Sequence, residues 1–321
     1  MGAVGENAHM TSDHTHLPYP STLHDWLDKS QDYAALYPAG GGEQFASHLP
    51  MALTAADALG LGDEALAAIH THLSRELLPL ESERDQAYCT LRQSFVALLP
   101  KHGLAALLRE ELPHLLRSAP AHAFHCMIRL GCAVTSDHLG EQASALAAWK
   151  NYPEYWPAMA LTGRKSVQDA VESIAVNRQL NSYQRQHRSI ETEMKTVRLQ
   201  PHFWEAVTAL DANQASLAEV ARASLAVFLS TRNFTALHML TATHAARVLC
   251  AYVDERLLLT LLWPGWVAAY ITAACPAPDW RAADTGQSAE QDWDAAKLGL
   301  SRTCNAHAHK LAYSSLEEWR H

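Results

Sequence analysis

Apolar residues return every three or four positions along almost the whole of this chain, and that spacing belongs to the α-helix. It runs through Glu64–Leu77, Asp85–Leu99, Gly103–Leu116, Ala119–Val134 and Ser136–Trp149. It resumes in Phe203–Asp211, Gln214–Thr231, Asn233–Tyr252 and Asp254–Thr272, the last interrupted at Trp263-Pro264-Gly265, and it closes with Asp292–Trp319. Shorter helices are expected over Asp25–Leu36, after Pro50 and over Ser166–Ala175, while NYPEYWPAM and residues 275–290 read as loops. No run of alternating β-branched residues bounded by turn dipeptides interrupts the series. The expected architecture is therefore all-α, one compact multi-helix domain over residues 21–321 behind a flexible tail of residues 1–20.

Polar residues on these apolar faces stand out. LHMLTATHAARVL carries His238 and His244 in an Ala-rich run, and SHLPMAL, AFHCMIRLG and NAHAHKLAY place His48, His125, His307 and Lys310 in similar company. A buried imidazole loses its water contacts and must find a hydrogen bond or a metal. One such histidine is more often a core residue bonded to a backbone carbonyl. Four segments sharing the device favour a buried central site, where several neutral imidazoles suit iron, copper or zinc. His307 and Lys310, three apart, leave a helix on the same side, whereas His309 points elsewhere and reads as exposed. His238 and His244 diverge by about 120°, so both reach one centre only if the helix bends or starts between them. His48, His125 and His244 are expected to converge. Lys310 is a surface lysine by default; facing inward, it is either neutral through burial or carboxylated by CO2. His70, His72, His102, His114, His138, His187 and His202 have polar neighbours and read as surface residues.

Other functions find less support. A net charge of −9 with no Lys/Arg stripe argues against a nucleic-acid partner. No apolar run reaches the ~18–20 residues that span a bilayer, and no signal peptide is visible, so a cytoplasmic protein is expected. The six cysteines form no CxxC pair and read as reduced. There is no GxSxG, HExxH, Walker or Rossmann motif. Trp149, Trp156, Trp263 and Trp266 are candidates to line a pocket for a flat aromatic ligand.

In chain order, SHLPMALTAADALG, AFHCMIRLGCAV, LHMLTATHAARVL and HAHKLAY resemble the signature segments of the questin oxidase-like family. That family includes Baeyer–Villiger-type oxidases of fungal anthraquinone and aflatoxin pathways and bacterial relatives. The resemblance implies a mononuclear non-haem Fe(II) held by histidines and an N-carboxylated lysine. Carried over, it implicates His48, His125, His238, His244, His307 and Lys310; Arg129 or Thr241 is expected, apart from the resemblance, to orient the substrate or the ligands. It also implies O2 and a small aromatic or polyketide-like compound as substrates. The chain departs from the family pattern at Ser47, Arg129, Cys132, Asn305 and Ala306, which leaves the fungal substrate open. The expected function is oxygen insertion or C–C ring cleavage on an aromatic or quinone-like compound. The alternatives are a non-catalytic helical binding protein and an NADPH-dependent Baeyer–Villiger oxidase without metal.

Overall fold

The computed structural model describes residues 23–40, 43–284 and 290–320. The expected tail, with His9, His14 and His16, lies outside them. The fold is all-α, with a single two-stranded hairpin among the described residues. Leu36–Gly40 pairs antiparallel with Glu43–Ala46, so the first helix is Leu23–Ser30 and does not run on to Leu36. A second difference lies at Pro264, where a break was expected. Glu255–Thr272 is one helix. Burial outweighs the missing backbone bond: Trp263 and Trp266 are fully enclosed, and their indole nitrogens donate to Val207 O (3.1 Å) and Ser224 Oγ (2.9 Å). Trp149 and Trp156 are likewise core residues, so none of the four tryptophans serves as a pocket wall.

Two further helix starts decide where polar groups end up. The Ala119–Val134 run becomes helical only at His125, because His122, Ala123 and Phe124 adopt left-handed backbone conformations (φ 51°, 53° and 69°). The C-terminal region is broken at Thr303–Asn305 into Glu290–Leu300 and Ala306–Arg320. There the Asn305 side-chain oxygen accepts from the backbone N–H of His307 (3.0 Å) and Ala308 (3.2 Å), an N-terminal cap. The Phe234–Leu249 helix is capped by Asn233, and Leu49–Ala58 opens on His48 with Pro50 in its first turn.

These four helices close a ring. Leu49–Ala58 packs on His125–Ser136 and on Ala306–Arg320, and Phe234–Leu249 packs on the same two. The main hydrophobic core draws on His125–Ser136 and Phe234–Leu249, and a smaller cluster around Trp26, Leu53 and Ile69 draws on Leu49–Ala58. His125–Ser136 and Phe234–Leu249 approach very closely at Gly131, where an added Cβ would come within 3.0 Å of Ala245 Cβ and 3.1 Å of its Cα. A larger residue there must push two ring helices apart. Gly131→Leu is expected to cost about 2–3 kcal/mol, read as a lower denaturant midpoint in chemical unfolding, with a smaller loss for Gly131→Ala.

Candidate metal centre and its cavity

Each ring helix delivers one imidazole near its first turn. His48 precedes its helix, His125 and His307 are the first and second residues of theirs, and His238 is the fifth. The rings meet: centroids are 4.6 Å apart for His48–His125 and His48–His307, 4.9 Å for His125–His238 and 5.3 Å for His238–His307. Ligand nitrogens of His48, His125 and His307 all lie within 4.8 Å of one another.

Backbone carbonyls select the tautomers. His125 Nδ1–H donates to His122 O (2.5 Å) and His238 Nδ1–H to Phe234 O (2.8 Å), which leaves each Nε2 with a free lone pair. His125 Nε2 lies 2.7 Å from His48 Nε2, and the Nε2 of His307 is buried without a hydrogen bond. Lys310 sits one turn along from His307, almost fully buried, its Nζ also without a partner. Burial lowers its pKa to about 7. The same burial, then the lysine charge, lowers all four histidines, His238 to about 3 and His307 to about 2. Converging lone pairs and unpartnered buried donors are the arrangement a cation would satisfy, so the residues fit a metal ion.

His244 does not join them, which corrects the expected His48–His125–His244 convergence. It lies six residues beyond His238 on a straight helix, and its ring packs edge-on against Tyr313, with Nδ1 3.3 Å from Glu318 Oε1. It shares with Lys310 and Thr241 a closed gap of about 10 Å³ on the far side of the lysine. Thr241 Oγ1 donates to Leu237 O (3.1 Å). The Arg129 guanidinium is held by both carboxylate oxygens of Glu141 (2.6 and 2.9 Å), and Arg129 is not part of the cavity wall. Two histidines read as exposed are buried: His309 donates to Leu300 O (3.2 Å), and His138 caps the next helix while bonding Asp28.

The four cluster histidines line the floor of an open cavity of about 710 Å³, well within the size range of small-molecule sites. Tyr37 and Phe45 of the hairpin flank it, and Phe234 stands edge-on to His238 (4.8 Å) and His307 (4.6 Å) with half its surface open. These aromatic groups, and His122 in the wall, were missed in the sequence. They sit in the hairpin or at the very start of a predicted helical run, where periodicity says nothing about a cavity. A family profile for questin oxidase-like proteins matches residues 45–315, a span holding every cluster residue. The chain belongs to the questin oxidase-like family. Membership implies an oxidoreductase acting on a small aromatic compound. No curated protein matches the chain. Among the described residues no helix is long and apolar enough to cross a membrane.

The lowered pKa values give the metal-free protein a definite pH response. Below pH ~6.5 unfolded imidazoles bind protons while the folded cluster stays neutral, so the unfolded state gains protons and stability falls with falling pH. Between about 7 and the unfolded lysine value near ~10.4, Lys310 is neutral only when folded, so stability rises with pH through that window. The buried thiols of Cys126, Cys132 and Cys275, raised to about 12, act in the opposite direction above the unfolded thiol value near ~8.5, so the test is the difference: between pH 7 and pH 9 the melting temperature of chelated protein should rise relative to that of Lys310→Met, in which the thiol contribution is the same.

Proposed function

We propose that the chain is a mononuclear non-haem iron oxygenase that inserts oxygen into, or cleaves a C–C bond of, an aromatic or quinone-like compound. The observation that carries this reading is the meeting of four imidazoles at the floor of an aromatic-flanked cavity, with the nitrogens of His48, His125 and His307 within 4.8 Å of one another and the unpartnered Lys310 amine buried one helical turn from His307. His48, His125, His238 and His307 would hold the ion, and Lys310 would complete the set. An iron ion bound there would supply O2 activation.

The chain's own residues do the remaining work. The groups acting on the cluster charges are one another and Lys310, so the donor set is neutral or positive. N-carboxylation converts Lys310 from a repelling cation into an oxygen donor. Its neutral amine attacks CO2: a C–N bond forms, one C=O π pair shifts onto oxygen to give the carboxylate, and the nitrogen releases one proton to solvent. Depression of its pKa keeps a large neutral fraction near pH 7. The carbonyls of His122 and Phe234 hold two imidazoles in the ligating tautomer. Phe234 offers an apolar edge beside the centre, against which a flat ring can pack.

Elemental analysis of anaerobically purified protein tests the reading: close to one iron per chain is expected. His125→Ala, His238→Ala and His307→Ala should each lose most of it, and His244→Ala should keep it. Lys310→Ala should lower iron content and abolish turnover, with partial rescue by bicarbonate plus a short carboxylic acid. A protein that carries no metal yet binds aromatic compounds would instead be a binding protein, and tight NADPH binding would mark a metal-free oxidase. Independently, Phe234→Ala should raise the substrate KM roughly tenfold, the scale of one lost aromatic contact at ~1.4 kcal/mol, with a smaller effect on iron content.

A further inference from the structure

One pair of side chains in the cavity wall has no part in holding the centre. His122 lies three residues before His125, and Glu191 lies at the start of the Ile190–Val197 helix; both line the cavity. His122 Nδ1 stands 3.3 Å from Glu191 Oε2, an ion-pair distance that falls short of hydrogen-bond alignment, and it has no other hydrogen-bond partner. The other carboxylate oxygen of Glu191 receives Lys195 Nζ at 2.9 Å. Burial alone would raise the Glu191 carboxyl, but the facing His122 imidazole and the Lys195 ammonium outweigh it and hold it low, and with Lys195 on its other oxygen this residue is an anion. An anion on the Nδ1 side places the imidazole proton there and leaves Nε2 as an acceptor.

The backbone fixes this pair relative to the centre. Three successive non-glycine residues in the left-handed region are costly, and such conformations cluster where a site needs them. Here the turn lets the His122 carbonyl take the His125 Nδ1–H while the His122 side chain serves the cavity wall. A hydrogen-bond acceptor backed by a carboxylate is thus tied by three residues to a cluster histidine.

We infer that His122 and Glu191 form a hydroxyl-binding subsite of the cavity, in which His122 Nε2 accepts the O–H of a phenolic substrate. The inference rests on the aromatic-substrate reading and narrows it to ring compounds bearing a free hydroxyl. A phenol is a strong donor to neutral imidazole, and its methyl ether is not a donor at all. A polar site of this kind discriminates strongly against an analogue lacking the hydroxyl, because the ether leaves the acceptor unpaired. His122 is a binding residue in this account, and Glu191 positions it.

The test uses the purified protein and two probes, 2-naphthol and 2-methoxynaphthalene, with binding followed by fluorescence titration. Naphthol should bind about five- to tenfold more tightly than the ether, the value of one good hydrogen bond. His122→Phe, which keeps a ring but has no acceptor, should bring the two affinities together. Glu191→Gln, which leaves the His122 turn unaltered, should reduce the preference by about half on a logarithmic scale and serves if His122→Phe folds poorly. Each titration is repeated after chelation, since a hydroxyl recognised by a metal would lose its advantage there and one recognised by His122 would keep it. Equal binding of the two probes by the unaltered protein, a preference lost on chelation, or a preference retained in both variants would each overturn the subsite. Failure of both probes to bind would overturn the aromatic-substrate reading, and the subsite with it.

Discussion

Four imidazoles gathered at one buried point are the constraint around which this protein is arranged. Each comes from within about one turn of a helix N-terminus, so four helix starts face one point. Helix N-termini carry partial positive charge, which opposes protonation of a nearby imidazole and favours an anion. Burial and the Lys310 charge work in the same direction. A neutral histidine set beside a lysine is electrostatically incomplete, and an added carboxylate on that lysine would supply the missing negative charge from within the chain. The capping side chains Asn233 and Asn305 and the left-handed turn at His122 all serve to start helices where the imidazoles must be.

The cavity extends this arrangement outward. Its floor is polar and its flanks carry Tyr37, Phe45 and Phe234, so a flat molecule is offered an apolar berth with one reactive end. The hairpin that supplies two of these rings is the only sheet among the described residues, and Tyr37, Gln44, Phe45 and Ala46 from it line the cavity. The ring of helices supplies rigidity, while the hairpin and the segment before Ala306 shape the opening.

Much of this was legible in the sequence because a polar residue on an apolar helical face announces itself. His48, His125, His238, His307 and Lys310 were readable for that reason, and the three-residue step from His307 to Lys310 placed both on one side correctly. The six-residue step from His238 to His244 already implied that a straight helix would send one of them elsewhere. It is His244, which meets Glu318 and Tyr313, partners distant in sequence that no local pattern reveals. His309 was misread because its direction away from His307 meets the Leu300 carbonyl instead of solvent, and His138 because its polar neighbours masked a carboxylate partner, Asp28, from a distant segment. Pro264 showed the opposite error, a local breaker overruled by two enclosed tryptophans. His122 and Phe234 carried no signal, since a cavity wall is a product of tertiary packing.

The route of the chain through the site has a consequence for the order of its making. The first cluster histidine is His48, and the last contributors, His307 and Lys310, lie in the final helix, Ala306–Arg320. During synthesis the centre remains open until Ala306–Arg320 has left the ribosome, because that helix supplies two of its residues and touches both of its ring neighbours only then. No chain lacking Ala306–Arg320 can gather the whole histidine–lysine cluster. Docking of the C-terminal helix, reinforced where Glu318 takes the guanidinium of Arg247 (2.6 Å), is the event that turns a helical scaffold into a receptor.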